Sequence, residues 1–178
     1  MRLVPERERW VPQIQAQIPE LEVVRDTTRN AQDTFFRLLL EIGGDAAVHV
    51  EDDIVLTSDF LPKIEAAIAE RPAVLQQFFS LRKSDAELGS RWMPGRSYCM
   101  LQCTYLPPGY AEAIYDYYPV WPERKVNRNS CDLWIAYFLA ARRERYWLHV
   151  PSLVQHRRAR SAINPRRSSG RQSVSFQP

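Results

Sequence analysis

Three consecutive acids, Glu51, Asp52 and Asp53, are the residues of this chain with the clearest capacity for chemistry. They follow an apolar run at 46–50 that is typical of a central parallel strand covered by helices on both faces. Packed carboxylates repel one another and lose hydration when buried, so such a cluster usually faces a cation or hydrogen-bond donors. Oxygen ligands at the end of a strand suit Mg²⁺ or Mn²⁺. A solvated loop that begins with acids is the alternative, although residues 54–56 return at once to apolar character.

The elements that must position these acids alternate between strand and helix along the first half of the chain. Strand patterns lie at 2–4, 21–24, 46–50 and 73–81, and helix patterns lie between them at 10–18, 32–42 and 60–70. Because crossovers between parallel strands are right-handed, this order predicts a single compact α/β domain with a Rossmann-like, mostly parallel central sheet flanked by helices. Ligands bind such sheets at the carboxyl ends of the strands, where Asp26 also lies.

The second half of the chain has a different pattern. The polar stretch 82–96 contains glycine and proline and predicts a loop over the site, and residues 97–106 predict a long strand. A buried helix pattern places Asp132 in its first turn, and the apolar residues near 146–150 predict a late strand. The domain is expected to span 1–156, followed by a basic, flexible C-terminal tail at 157–178.

The acidic strand and the residues that follow it carry a family resemblance. Val48 to Val55, followed by Ser58, Asp59 and Phe60, resembles the metal site of nucleotide-sugar-dependent glycosyltransferases of the A-type fold (GT-A). In that family the last acid of a short motif at a strand end binds the metal that holds the donor diphosphate. The later sequence Pro-Ser-Leu-Val-Gln-His, ending at His156, is similar to the strand that supplies the second metal ligand. The resemblance implies Asp53 and His156 as ligands of Mn²⁺ or Mg²⁺.

The same resemblance implies roles for other residues. Asp132 matches the acid at the start of a late helix that serves inverting enzymes as general base toward the acceptor hydroxyl. Acids are also favoured at helix N-termini by the helix dipole, by about 0.3 to 1 kcal/mol, without any catalytic role. The remaining expected contacts to the donor, each of which has a surface charge or a helix cap as its alternative, are Arg7, Arg9, Asp26, Glu51, Asp52, Arg157, Arg158 and Ser161.

The charge of the chain is concentrated at one end. The net charge is +3, yet the seven arginines from Arg145 onward, with no acid after Glu144, leave residues 1–144 with a net charge of −4. The guanidinium fork suits phosphate better than an ammonium does. The excess of arginine over what one diphosphate requires favours a polyanionic acceptor such as DNA. The expected partners are therefore a nucleotide sugar and DNA.

These observations predict a metal-dependent, inverting glycosyltransferase that takes a nucleoside-diphosphate sugar as donor, with a UDP-sugar favoured. The favoured acceptor is a 5-hydroxymethylated pyrimidine in DNA, as in phage-type DNA-modifying glycosyltransferases. A protein or glycan hydroxyl, a non-catalytic nucleic-acid-binding domain and a metal-dependent nuclease or phosphotransferase remain as alternatives.

The sequence also bears on compartment and redox state. No run approaches the roughly eighteen apolar residues of a membrane span, and the first residues have no signal-peptide core, so a cytoplasmic protein without membrane contact is expected. If the chain is phage-encoded, this is the host cytoplasm. Cys99, Cys103 and Cys131 have neither the number nor the spacing of a disulfide framework or a zinc site, which predicts reduced core thiols.

Overall fold

The computed structural model describes residues 1–117, 130–158 and 171–178, which form an α/β structure. The helices are α1 (Val11–Gln15), α2 (Ala31–Ile42), α3 (Phe60–Glu70), α4 (Lys83–Leu88), α5 (Tyr110–Asp116) and α6 (Cys131–Ala141), with 3-10 helices at Pro5–Trp10 and Gly95–Ser97. The strands are β1 (Arg2–Leu3), β2 (Val24–Arg25), β3 (Ala47–Val50), β4 (Ile54–Leu56), β5 (Gln76–Gln77), β6 (Arg91–Pro94), β7 (Cys103–Leu106), β8 (Arg145–Leu148) and β9 (Val154–His156).

The main sheet contains five strands in the order β3, β7, β5, β8, β6. Three of its four pairings are antiparallel, and only β5 and β8 pair in parallel. The predicted α/β class is thus confirmed, whereas the mostly parallel sheet is wrong. Apolar periodicity reports which faces of a strand are buried and carries no information about the direction in which the strand runs, so the reversal of β6 and β7 was not visible in it.

Two smaller sheets flank the main one. β1 and β2 pair in parallel, and β4 and β9 pair in antiparallel fashion with Ile54 opposite His156. A single parallel bridge between Arg2 and Glu51 joins β1 to the end of β3. The chain segment after β3 is therefore held from two sides, by β1 and by β9.

Two apolar clusters form the core. One contains Phe35 of α2 and Ile135 of α6, and the other contains Phe60 of α3 and Val50 of β3. Neighbouring residues of β7 fall into different clusters, as the alternation of side chains along a strand requires: Tyr105 joins the α3 cluster and Leu106 joins the α2 and α6 cluster. Helices thus cover both faces near the end of β3.

The helices agree with the sequence prediction better than the strands do. α3 has the predicted bounds, and Gly43 ends α2 with a positive φ of 57° and a bond from its N–H to the Leu39 carbonyl. The predicted loop at 82–96 is wrong, because it contains α4 and β6. The predicted strands at 73–81 and 97–106 shrink to β5 and β7, since pairing with neighbouring strands, which local sequence does not encode, sets strand ends.

The described end of the chain folds back on the domain. Residues 171–178 contain no helix or strand, but the Ser173 N–H donates to Gln155 Oε1 at 2.8 Å and the Thr57 hydroxyl donates to the Gln177 carbonyl at 2.6 Å. All three cysteines are free thiols, with Cys103 and Cys131 buried. Within the described parts of the chain, every helix is too short or too polar to traverse a bilayer.

Candidate functional site

The acidic triad lies in the turn between β3 and β4 and is buried. Glu51, Asp52 and Asp53 retain 5%, 2% and 6% of their accessible surface, so none of them is a solvated loop carboxylate. The sequence alternative of an acidic surface loop is therefore wrong. Buried carboxylates require compensating donors or cations, and the chain supplies several of both.

Glu51 pairs with Arg2 and His49, whereas the other two acids pair with Arg7. Its Oε2 lies 2.7 Å from Arg2 Nη2, and its Oε1 lies 3.1 Å from His49 Nε2. Burial alone would raise the pKa of Glu51, but the attraction of Arg2 and the bond from His49 outweigh burial and hold the pKa at about 2. Glu51 is thus an ionised carboxylate that pairs with Arg2 and His49.

Asp52 and Asp53 share one guanidinium. Arg7 Nη1 lies 2.5 Å from Asp52 Oδ1 and 2.8 Å from Asp53 Oδ2, and the Val4 N–H donates to Asp52 Oδ2 at 2.7 Å. Burial raises the pKa of Asp52 to about 6, against the opposing attraction of Arg7. Arg7 comes from the 3-10 helix that follows β1, so the sheet contact of β1 with Glu51 also places this cation.

His156 approaches Asp53 from the other side. Its Nε2 lies 3.2 Å from Asp53 Oδ2, although the two residues are far apart in sequence. The pairing of β4 with β9 causes this proximity, and the Arg157 N–H reinforces it by donating to the Asp53 carbonyl at 2.7 Å. The sequence-predicted pair of Asp53 and His156 is therefore brought together.

The second nitrogen of His156 is held by the backbone. His156 Nδ1 lies 2.7 Å from the Arg157 carbonyl, and a carbonyl only accepts, so Nδ1 carries a proton. A carboxylate also only accepts, so the contact with Asp53 Oδ2 is a hydrogen bond only while Nε2 carries a proton, and a cation bound to Nε2 would take the place of that proton. A backbone carbonyl that orients the distal nitrogen is the usual support of a metal-binding histidine.

A divalent cation fits this pair only in part. Asp53 Oδ2 and His156 Nε2 offer an oxygen and a nitrogen ligand, and an ion that takes further oxygens from phosphate and water needs few protein ligands. The Arg7 guanidinium, however, contacts the same Asp53 oxygen. No group of three or more His, Cys, Asp or Glu side chains suited to a metal occurs within 1–117, 130–158 and 171–178.

Asp132 lies at the same edge of the main sheet. It is in the first turn of α6, as predicted, and its Oδ2 accepts a bond from the Met100 N–H at 3.1 Å. Two residues later, the Gln102 carbonyl accepts from the Glu51 N–H at 3.0 Å. The segment 100–102 thus connects the candidate base to the acidic triad.

The other residues expected to contact the nucleotide-sugar donor are not gathered around the acidic triad as a group. Asp26 is buried in front of α2, where its Oδ1 accepts from the Asn30 N–H at 3.2 Å, so its side chain serves the start of that helix. Arg157 donates from Nε to the Ile54 carbonyl at 2.9 Å, and Arg9 is exposed. Ser161 lies outside the described residues, and Arg158 is exposed after β9.

Three residues of the site were missed by sequence reasoning. Arg2 and His49 hold Glu51, and Trp10 carries the guanidinium groups of Arg9 and Arg157 over its ring, each at 5.2 Å from the ring centroid. The alternation of side chains along β3, which puts His49 and Glu51 on one face, is the signal that could have identified His49. Nothing in the local sequence points to Arg2 or Trp10.

The site thus consists of an acidic turn held by two arginines, a histidine aimed at its last carboxylate and a further acid on the same sheet edge. Comparisons of the chain with protein families, with curated proteins and with solved structures found no match.

Proposed function

We propose that this chain is a metal-dependent glycosyltransferase that uses a nucleoside-diphosphate sugar. The observation that supports it most is the approach of His156 Nε2 to Asp53 Oδ2 at 3.2 Å, with the distal nitrogen of the histidine held by a backbone carbonyl. These are the two residues whose sequence motifs resemble the metal ligands of A-type glycosyltransferases. If the buried pair were only structural, there would be no reason for both motifs, the acidic triad and the sequence that ends at His156, to resemble the same family.

Each residue of the site has a role in this proposal. Asp53 and His156 hold Mn²⁺ or Mg²⁺, which when bound offsets the charge of the donor diphosphate. Arg157, next to His156, adds positive charge where the leaving group accumulates negative charge, which favours the transition state over the ground state. Asp132 accepts the proton of the acceptor hydroxyl as that oxygen attacks the anomeric carbon, which inverts the configuration.

The direction of the strands supports a ligand site beside the acidic triad. Although most pairings in the main sheet are antiparallel, β3, β5 and β8 run in one direction, and the Arg2–Glu51 bridge aligns β1 and β2 with them. The acidic triad and Asp26 follow the carboxyl ends of strands in this set. Ligands of open α/β sheets bind at such an edge.

DNA is the proposed acceptor. The arginines that follow β9 and the absence of acids after Glu144 support a polyanionic partner, since each phosphate contact adds affinity that salt weakens. Within this proposal the acceptor hydroxyl belongs to a 5-hydroxymethylated pyrimidine, and a protein or glycan hydroxyl is the alternative. A UDP-sugar is the favoured donor.

Donor hydrolysis tests the proposal directly. UDP-, GDP- and CMP-linked sugars are incubated with the protein, with and without Mn²⁺, and nucleotide release is measured. We expect release from one donor only with metal, and its loss in Asp53→Asn. The matched control is Asp59→Asn, an exposed acid in the left-handed conformation (φ 55°), which asparagine tolerates. No release from any donor in the wild type contradicts the proposal.

A second candidate has its own observation. Arg2 and Arg7 already compensate all three acids, as expected of a structural ion-pair network in a nucleic-acid-binding domain without catalysis. Such a domain binds DNA with a strong salt dependence and shows no metal-dependent donor hydrolysis. Cleavage of DNA without any sugar donor identifies a nuclease instead.

A further inference from the structure

Two tryptophans lie side by side on the outer strands β6 and β8 of the main sheet. Trp92 and Trp147 are direct partners in the β6–β8 pairing, so both side chains point to the same face. Their ring centroids are 5.5 Å apart, with an angle of 79° between the ring planes. Trp147 is partly buried, whereas Trp92 retains 40% of its accessible surface. The exposed ring therefore lies at the edge of the sheet opposite to β3 and the acidic triad.

Each ring is accompanied by an arginine. Arg71, directly after α3, places its Cζ 3.8 Å from the ring centroid of Trp147, a distance typical of a guanidinium stacked on an aromatic face. Arg145 places its Cζ 5.7 Å from the ring centroid of Trp92 and donates from Nη2 to the Trp92 carbonyl at 3.1 Å. Because Arg71 covers Trp147, the open aromatic surface of this group belongs mainly to Trp92. These four residues form the tryptophan platform.

The charge beside the platform is positive. Arg71 is neutralised by Glu70 at 2.6 Å, and Arg142 is neutralised by Glu144 at the same distance. The Gly95 N–H donates to the Glu144 carbonyl at 3.1 Å, which joins the end of β6 to the start of β8. The exposed arginines at this junction that have no acidic partner within 1–117, 130–158 and 171–178 are Arg96, Arg143 and Arg145. The junction therefore suits a polyanion.

An exposed indole beside unpaired guanidinium groups fits a ligand that combines flat rings with closely spaced negative charges. Single-stranded DNA has both features, since its bases stack on aromatic side chains and its phosphates attract arginine. A DNA duplex offers the phosphates but keeps its bases stacked inside the helix. A neutral sugar or an apolar protein surface would contact the ring and gain nothing from the arginines. The combination of ring and charge thus favours a single strand.

We propose that the tryptophan platform binds single-stranded DNA, with a base stacked on Trp92 and neighbouring phosphates bound by Arg145, Arg96 and Arg143. The choice of DNA rests on the proposed function, in which DNA is the acceptor. A base must leave the helix before an enzyme modifies it, so an acceptor strand is unpaired at its target. Since the platform lies at the opposite sheet edge from the acidic triad, it holds the strand and takes no part in sugar transfer.

Binding is measured by fluorescence anisotropy with labelled (dT)12. We expect saturable binding by the wild type and binding weaker by about tenfold in Trp92→Ala, because a base–aromatic stack is lost. Trp92→Tyr keeps an aromatic ring and should retain most of the affinity. The matched control is Tyr115→Ala, an exposed aromatic of α5 that packs against Phe36, and it should bind like the wild type. No saturable binding by the wild type, or equal binding by Trp92→Ala, overturns the proposal.

The charge of the platform is tested by Arg145→Gln. The slope of log K against log salt should become shallower by about 0.7, the value for one lost phosphate contact to a single strand. Arg37→Gln, an exposed arginine of α2 that bonds the Arg25 carbonyl, is the control and should keep the wild-type slope. If Trp92→Ala does not fold, Arg145→Gln still decides, because it leaves both rings in place. An unchanged slope in Arg145→Gln overturns the proposal.

Donor hydrolysis by the wild type distinguishes this proposal from the proposed function. Metal-dependent nucleotide release without binding of (dT)12 refutes the platform alone. Binding of (dT)12 that depends on Trp92, without nucleotide release, refutes the glycosyltransferase and leaves the platform. Self-association of the wild type that Trp92→Ala abolishes, with unchanged binding of (dT)12, shows that a second copy of the chain occupies the platform. Tenfold tighter binding of (rU)12 than of (dT)12 overturns the choice of DNA.

Discussion

Arg7 Nη1 lies 2.8 Å from Asp53 Oδ2, the carboxylate oxygen that also faces the imidazole of His156. The guanidinium therefore stands where a bound cation would compete with it. Burial on its own would lower the pKa of Arg7, but Asp53 and Asp52 raise it above its usual value, so Arg7 is charged at every physiological pH. In the proposed mechanism, Arg7 neutralises the acids in the absence of metal, and the metal displaces it when the donor binds. The ion pairs are then compatible with the proposed metal site.

Replacement of Arg7 tests this competition. Arg7→Met removes the cation from two buried carboxylates, so we expect a loss of about 3 to 5 kcal/mol in the free energy of unfolding. Mn²⁺ should then raise the melting temperature of the variant by more than it raises that of the wild type, because the freed carboxylates bind the ion. The exposed neighbour variant Arg9→Met should respond like the wild type. Equal metal responses of Arg7→Met and the wild type contradict the competition.

Replacement of His156 tests the second ligand. His156→Phe keeps the aromatic ring beside Asp53 but has no nitrogen, so we expect the Mn²⁺-dependent part of UDP binding to fall by about 10-fold or more. Binding is measured by thermal shift with and without metal. His149→Phe is the matched control, because His149 packs against Phe78 and bonds the Pro151 carbonyl away from the acids. No loss in His156→Phe, or an equal loss in both variants, contradicts the assignment of His156 as a ligand.

The role of Asp132 as general base is tested independently of metal binding. Asp132→Asn keeps the shape of the side chain but cannot accept a proton, so donor binding should persist while sugar transfer falls by about 100-fold or more. The cost in stability should stay near 1 kcal/mol, because one bond to the Met100 N–H and a favourable helix-terminal charge are weakened. Glu112→Gln, in the first turn of α5, is the control. Transfer at the wild-type rate in Asp132→Asn excludes Asp132 as the base.

His49 makes stability depend on pH on the acid side. Burial lowers the pKa of His49, despite the bond to Glu51, so the unfolded chain takes up its proton at higher pH than the native protein does. The stability contributed by the neutral ring is thus present above the ordinary histidine pKa of about 6.5 and is lost as pH falls from there toward the folded value. Melting temperatures from pH 7.5 to pH 5 should fall more steeply for the wild type than for His49→Gln. Parallel curves for the two proteins would contradict this account.

The local sequence determined the longer helices and the separate motifs. The apolar period and the glycines at the end of α2 are local signals, so α3 has its predicted bounds and Asp132 lies in the first turn of α6. The acidic triad follows a strand as expected, and the adjacent carboxylates already indicated a need for compensating charge. The proximity of Asp53 and His156 was also anticipated, but through the resemblance of two motifs rather than through any local pattern.

Only the tertiary structure decided which groups compensate the acids and how the strands run. Arg2 and Arg7 reach Glu51, Asp52 and Asp53 because β1 bridges the end of β3, and no periodicity in the sequence encodes that bridge. The antiparallel course of β6 and β7 likewise follows from pairing between distant segments. Local sequence fixes the conformation of a few residues at a time, whereas pairing depends on the free energy of the whole packed sheet.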